Sequence, residues 1–329
     1  MITVVQYDRY GGAERLGLGE RRRPVPRSGE VVVGVAAVAL NPIDWKLREG
    51  QLRWIYPLRF PVVPCFDFCG RVLQCGADVR EFAPGDRVCG MSDRRAGGVL
   101  ATQCICSASV LANVAEAVPD EEAAGMPLAG LTALQGLCEH GRIQPASRVL
   151  VVGASGGVGH LATQIAVRRG AHVTAVCGPD NSDWVGELGA ETVLNYRAPG
   201  WLSKAGTFDL IFDAVGSLGY RRCRSSLNRG GSYVSTLPGP RALFDQWFRA
   251  PLSRHRARTF LVKPSGDGLC DLLAMRTAGK LRVCIDSIYD WKDFAPAFVR
   301  SESGRARGKV VLRVAPAHGE NDRAASSPG

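Results

Sequence analysis

The chain is short of the features that would place it across a membrane, outside a cell or around a metal. None of its apolar stretches approaches the roughly 18 residues that a spanning helix needs. Its start, Met1-Ile2-Thr3-Val4-Val5, reads as a strand with neither a charged leader nor an apolar h-region, so no secretion signal is expected. The 11 cysteines are odd in number, include no Cys-x-x-Cys, and sit in part within apolar runs such as Val176-Cys177 and Val283-Cys284-Ile285. That pattern argues against a disulfide scaffold and for buried free thiols in a reducing compartment. Cys104-x-Cys106 and the group Cys65, Cys69, Cys75 lack tetrahedral spacing, so no metal is expected. Histidine is scarce, at 5 residues. His140, His160 and His172 read as helix or strand-edge residues, so no Ser-His-Asp or Cys-His system is suggested. A soluble, cytoplasmic protein with no membrane partner is the expectation.

Positive charge is plentiful. The net charge is +10 over 329 residues, a length that suggests about two domains. The basic residues are mostly arginines scattered along the chain, and the only local concentration is 249–258, where Arg249, Arg254, Arg256 and Arg258 flank His255. With no nucleic-acid motif beside it, a solvated face is the better reading of that run.

Residues 1–120 carry short β-like segments punctuated by Gly and Pro: 3–7, 31–40, 70–75 and 87–90. Pro119-Asp120-Glu121-Glu122-Ala123 then opens a helix, its acids favoured by the helix dipole. From about residue 147 strands and helices alternate. Strands are expected at 148–153, 172–177, 191–195, 208–215, 231–236 and 258–262, and helices at 160–170 and 181–188. Apolar runs spaced by helices predict a parallel sheet covered on both faces. A helix at 269–278 and a strand at 310–314 follow, and the tail from Pro316 is small and polar, the composition of a disordered end.

The strongest motif lies within Val149-Leu150-Val151-Val152-Gly153-Ala154-Ser155-Gly156-Gly157-Val158-Gly159-His160. In the dinucleotide register Gly-x-Gly-x-x-Gly, Ala154 holds the first position, Gly156 the second and Gly159 the third. Gly156 lets the backbone approach a pyrophosphate, and Gly159 lets helix and strand pack closely. Backbone N–H groups of Ser155, Gly157 and Val158 and the helix N-terminus face the negative charge. The second strand ends at Cys177-Gly178, where an NAD-selective domain carries an acid for the ribose hydroxyls. That absence leans toward NADPH, with NADH also open, because Asp180 stands close by. Asn181 is counted with the cofactor residues, and Tyr196 and Arg197 are set either near the adenosine phosphate or in a solvent-facing turn.

Taken in order, these segments resemble the medium-chain dehydrogenase/reductase superfamily and, within it, the zinc-independent quinone oxidoreductase (zeta-crystallin-like) branch. The segments are Asn41-Pro42-Ile43-Asp44, Pro84-Gly85-Asp86-Arg87-Val88, Pro127-Leu128-Ala129-Gly130-Leu131-Thr132, the loop 154–159, Asp213-Ala214-Val215-Gly216 and Gly308-Lys309-Val310-Val311. Zinc-dependent relatives need a Cys or His near 41–46 and a His-Glu pair before Gly70, where this chain has Asn41-Pro42-Ile43-Asp44 and Cys65-Phe66-Asp67. Many relatives carry Gly at the position of Cys65, so a β-carbon there is expected to reshape the cleft wall.

The resemblance implies an α/β protein: a GroES-like β-rich catalytic domain (1–118), an inserted Rossmann domain (119–263) and a return to the catalytic domain with the tail (264–329). It implies a homodimer or higher oligomer, and hydride transfer from NAD(P)H to a quinone or α,β-unsaturated carbonyl. Asn41 would lie near the nicotinamide or the acceptor carbonyl, Thr132 near the nicotinamide face, Val215 and Gly216 at the cofactor, and Lys309 beside its phosphates. Turn-stabilising and helix-packing roles stand as the alternatives for Asn41 and Thr132. Lys46 and Tyr56 are candidate proton donors, with water as the third. The rival reading is an NADPH-binding redox sensor, or an RNA-binding protein with little turnover that uses the basic stretch 249–255.

Overall fold

The strand Arg148–Val152 is apolar on both faces, with Val149, Leu150 and Val151 fully buried, as a strand inside a doubly covered parallel sheet must be. In the computed structural model, which describes residues 1–54 and 56–314, it lies inside a six-stranded sheet. The polar tail expected from Pro316 falls outside the described residues. The spatial order is Thr192–Asn195, His172–Cys177, Arg148–Val152, Phe208–Asp213, Leu227–Ser235, Arg256–Thr259, and every pairing is parallel. Strand order reverses on either side of Arg148–Val152, the switch point at which open α/β sheets bind ligands.

The helix that follows, Gly157–Arg168, buries Leu161, Ala162, Ile165 and Ala166, the i, i+1, i+4, i+5 stripe that packs one helix face on the sheet. It begins three residues before the expected start at 160, because the glycine-rich stretch is already its first turn. The next helix is shorter than expected: a 3-10 turn takes Pro179–Asn181 and only Ser182–Gly186 is α-helical. Proline at the head of the turn favours this tight start.

A second sheet of seven strands is built from both ends of the chain. Its spine is Glu30–Leu40, flanked by Asp67–Cys75 and by the closing strand Lys309–Arg313, both antiparallel to it. Gln103–Ser107, which carries Cys104 and Cys106, pairs with the same spine, and Ile285–Asp290 lies outside Lys309–Arg313. The parallel sheet is thus an insertion between two parts of a GroES-like sheet. The short helix Asp120–Gly125 packs on the GroES-like sheet, so a boundary at 118/119 falls ahead of an element that belongs with that sheet.

Candidate active site

The two sheets are joined at the glycine loop. Gly153 turns with φ +78°, and its N–H and that of Ala154 both donate to the carbonyl of Val176, at 3.0 and 2.9 Å. The tight turn therefore falls one residue earlier than the register led by Ala154. From the other sheet, the N–H of Gly308 donates to the Ser155 carbonyl at 3.0 Å, and Gly308 bridges Gly156. The loop is held from both sides while the first-turn N–H groups of Gly157–Arg168 have no acceptor inside their own helix.

The glycines fit a dinucleotide. A β-carbon on Gly159 would stand 2.0 Å from the Gly153 carbonyl oxygen, so only glycine allows this approach of helix and strand. A β-carbon on Gly156 would meet nothing nearer than the Gly153 oxygen at 3.4 Å and would project into the open space where a pyrophosphate approaches. Val158 is half-buried against the core behind the loop. Val215 covers the turn, its Cγ2 lying 2.3 Å from where a Gly153 β-carbon would be.

The segment around Val215 and Gly216 is organised by a residue absent from the expected set. The buried carboxylate of Asp213 accepts hydrogen bonds from the N–H groups of Gly216 (2.8 Å) and Leu218 (2.9 Å) and from the Tyr233 hydroxyl (2.9 Å). Its signal in the sequence was an acid at the end of the apolar run Leu210-Ile211-Phe212. At the far end of the loop, Asn181 has a buried Oδ1 with no partner among the described residues, and the Tyr196 ring stands 3.4 Å from the β-carbon position of Gly178. Arg307, also unforeseen, donates to the Asp180 carbonyl at 2.6 Å.

Beneath the loop lies a buried polar cluster. The Asn41 amide donates from Nδ2 to Asp67 Oδ2 at 2.8 Å, and its Oδ1 accepts from Lys309 Nζ at 2.5 Å. Lys309 Nζ also lies 3.3 Å from Asp67 Oδ2, and Asp67 Oδ1 accepts from the Leu128 N–H at 2.8 Å. All three side chains are essentially inaccessible to solvent. Burial pushes the Asp67 carboxyl upward, and the Lys309 ammonium opposes that shift. Asp44, whose Oδ2 accepts from the Asn41 N–H at 2.7 Å and whose Oδ1 is unpartnered among the described residues, is pushed up by burial to about 8.

The expected residues are only partly gathered. Lys309 lies beside the loop, its Cδ 3.2 Å from the β-carbon position of Gly157, yet its ammonium is committed to Asn41 and Asp67 and does not point at the phosphate space. The turn-stabilising alternative for Asn41 is present as a backbone contact, while its amide belongs to the cluster. Thr132, on the helix Pro127–Leu134, spends its hydroxyl proton on the Leu128 carbonyl at 2.7 Å. Lys46 and Tyr56 stand apart from the cluster, with no hydrogen bond to it among the described residues. Burial lowers the Lys46 pKa, and burial raises that of Tyr56 against the Arg95 guanidinium, 4.7 Å from its ring. Cys65, expected to reshape the cleft wall, is fully buried in the core of the GroES-like sheet, at φ +72°.

His160 is a structural clasp. Its Nδ1 donates to the Gly156 carbonyl at 3.0 Å and its Nε2 accepts the Cys284 N–H at 3.1 Å, which fixes one neutral tautomer. Burial pulls its pKa down to about 4.

Residues 27–131 match the family described as alcohol dehydrogenase GroES-like domain, and 188–312 the family described as zinc-binding dehydrogenase. The chain is 35% identical to the chloroplastic quinone-oxidoreductase QR1 of Triphysaria versicolor, across 95% of this chain and 98% of that protein. It belongs to the quinone-oxidoreductase-like branch of the medium-chain dehydrogenase/reductase superfamily. A chloroplast envelope quinone oxidoreductase homolog of Arabidopsis thaliana is 32% identical over 95% of this chain and 98% of its own length. The structure of the quinone oxidoreductase from Coxiella burnetii superposes with a TM-score of 0.87 at 29% identity, covering 95% of this chain and 99% of that one. Within this superfamily some members bind zinc. Among the described residues no group of three or more His, Cys, Asp or Glu side chains is placed to hold a metal, and the positions near 41 and 67 carry the Asn41–Asp67–Lys309 cluster instead.

Proposed function

We propose that this chain is an NAD(P)H-linked oxidoreductase that reduces quinones or α,β-unsaturated carbonyls without a metal. The observation that carries this reading is the glycine loop at the switch point, joined through Gly308 to the buried Asn41–Asp67–Lys309 cluster. A bound NAD(P)H supplies the hydride. Ser155, Gly157 and Val158 would offer backbone N–H groups at the helix N-terminus to its pyrophosphate, while Ala154, Gly156 and Gly159 shape the loop that lets it approach. Val215 and Gly216 wall the opposite side, held there by Asp213.

Lys309 and Asp67 occupy both ends of the Asn41 amide, so the cluster acts as a fixed floor beside which the nicotinamide and the acceptor carbonyl would lie. Thr132, its proton already donated, offers an acceptor lone pair to the carboxamide of the cofactor. Tyr56, kept protonated by burial, and Lys46, whose ammonium burial makes more acidic, are our candidates for delivering the proton. NADPH is the preferred cofactor. Cys177 and Gly178 supply no acid for a ribose hydroxyl, Arg307 brings positive charge to Asp180, and Arg197 stacks on Tyr196, whose ring stands beside Gly178.

We also assign the outward face of 243–252 to a homodimer contact rather than to RNA. Trp247 and Phe248 are 66% and 61% exposed there, beside the unpaired edge of Arg256–Thr259. No helix among the described residues is long and apolar enough to cross a membrane.

The test is NADPH and NADH oxidation followed with 9,10-phenanthrenequinone, 1,4-benzoquinone and a 2-alkenal, with Gly156→Val as the control. Turnover with at least one acceptor, lost in the variant, is the expected result. Tight NADPH binding with no oxidation above buffer for every acceptor would sink it.

A further inference from the structure

Next to Val215, and sharing Gly216 with the proposed cofactor groove, lies a cavity of about 810 Å³ whose other lining residues the proposed reaction does not use. It opens between the loop after Asp213 and the helical segment 240–249, over the ends of Leu227–Ser235 and Arg256–Thr259. Its size suits a small organic molecule. Tyr220 and Tyr233 form part of its floor with their hydroxyls already engaged, the first with His255 Nδ1 at 3.2 Å and the second with Asp213 at 2.9 Å. Leu218, Leu237 and Phe244 add apolar wall.

The lining is strongly one-signed. Arg221, Arg241, Arg249 and Arg258 face the cavity, and the only acid that lines it is Asp245. Asp245 is already neutralised by Arg249, at 2.7 Å, while that guanidinium stacks 4.8 Å from the Phe244 ring. Arg221, Arg241 and Arg258 make no ion pair and no side-chain hydrogen bond among the described residues. The chain therefore brings three uncompensated guanidinium groups, from three separate elements, around one apolar-floored space. Arginine forks match planar anions bidentately and stack on aromatic rings.

We propose that this cavity is a second binding site, adjoining the cofactor groove at Gly216, for an amphipathic organic anion. Its ligand has an aromatic or acyl body that rests on Tyr220, Tyr233 and Phe244. It also carries a carboxylate, sulfonate or phosphate, which meets Arg221, Arg241 and Arg258. Trp247, Phe248 and Leu252 do not line the cavity, so it lies on the other face of the helical segment from the exposed aromatic patch.

The experiment titrates the full chain with 8-anilinonaphthalene-1-sulfonate and, in parallel, with its uncharged counterpart N-phenyl-1-naphthylamine. Saturable binding of the sulfonate is expected, weakened about tenfold by Arg221→Gln and by Arg258→Gln. Binding of the uncharged probe and NADPH-dependent quinone turnover should stay as in the parent. Both arginines are exposed, so neither change removes a buried contact. The sulfonate should be displaced by 2-naphthoate and not by inorganic phosphate at the same concentration. Equal binding to the parent and both variants would assign the probe to the surface aromatics and overturn the site. Displacement by NADPH would place the probe in the cofactor groove and overturn its separateness, and displacement by phosphate alone would overturn the need for an apolar body.

Discussion

Cys65 and His160 show how single side chains carry strain and pH sensitivity into the structure. Cys65 holds a left-handed backbone that costs a side-chain-bearing residue roughly 1–2 kcal/mol. Its thiol packs in the core and returns part of that cost through burial. Cys65→Gly should therefore change stability by no more than about 1 kcal/mol, as measured by urea unfolding. A loss of several kcal/mol would mean that the thiol matters more than the backbone.

His160 has its folded pKa below the unfolded value, so the neutral form is favoured on folding. Its contribution is complete above about pH 6.5 and is lost as pH falls toward 4, amounting to about 3 kcal/mol in all. Asp44 works in the opposite sense. With its folded pKa raised to about 8, its protonated form stabilises at low pH, and that contribution fades as pH rises from about 4 toward 8. The difference between His160→Gln and the parent cancels the Asp44 contribution. The penalty of the variant should thus shrink between pH 6.5 and 4 and stay constant above that window.

Among the elements, the closing strand Lys309–Arg313 does the most joining. It pairs with Glu30–Leu40, carries the ammonium that neutralises Asp67, and follows the Gly308 contact to the glycine loop. Lys309→Met leaves Asp67 buried and unpaired, at a cost of about 3–5 kcal/mol near neutral pH. Because burial already raises Asp67, protonation relieves the defect, and the gap in melting temperature between variant and parent should narrow as pH falls. A gap that does not change with pH would show that lost packing, and not the stranded charge, is the cause.

The elements were also where the sequence was easiest and hardest to read. All six strands of the parallel sheet lay within a few residues of their expected places, the central Arg148–Val152 and His172–Cys177 most closely, because a doubly covered strand is an apolar run. The strands Gln103–Ser107 and Ile285–Asp290 did not stand out, since half-exposed segments interrupted by Cys, Ser and Asp show no clean alternation. The glycine loop was legible as a local motif. The Asn41–Asp67–Lys309 cluster was not, because its members are separated by 26, 242 and 268 positions and meet only when both ends of the chain join one sheet. Nothing local in Lys309 says which way its ammonium turns.

For the whole molecule, the open edge of the parallel sheet and the aromatic face beside it set the expected assembly. Trp247→Glu with Phe248→Glu puts two carboxylates on that face without touching the core, since both side chains are mostly exposed. Light scattering coupled to size exclusion should show the parent as a dimer and the double variant as a monomer with an unchanged circular dichroism spectrum. A parent that is already monomeric would leave the aromatic face without its proposed occupant.

The contact between Gly308 and Ser155 also sets an order of events during synthesis. The nucleotide loop leaves the ribosome about 150 residues before the segment that braces it. A nascent chain stalled short of Gly308 holds a parallel sheet whose loop lacks its second support, so firm cofactor capture is expected only after the segment through Gly308 has been made. Arrested chains ending before and after the closing strand, probed for retention on a nucleotide resin, should separate at that point.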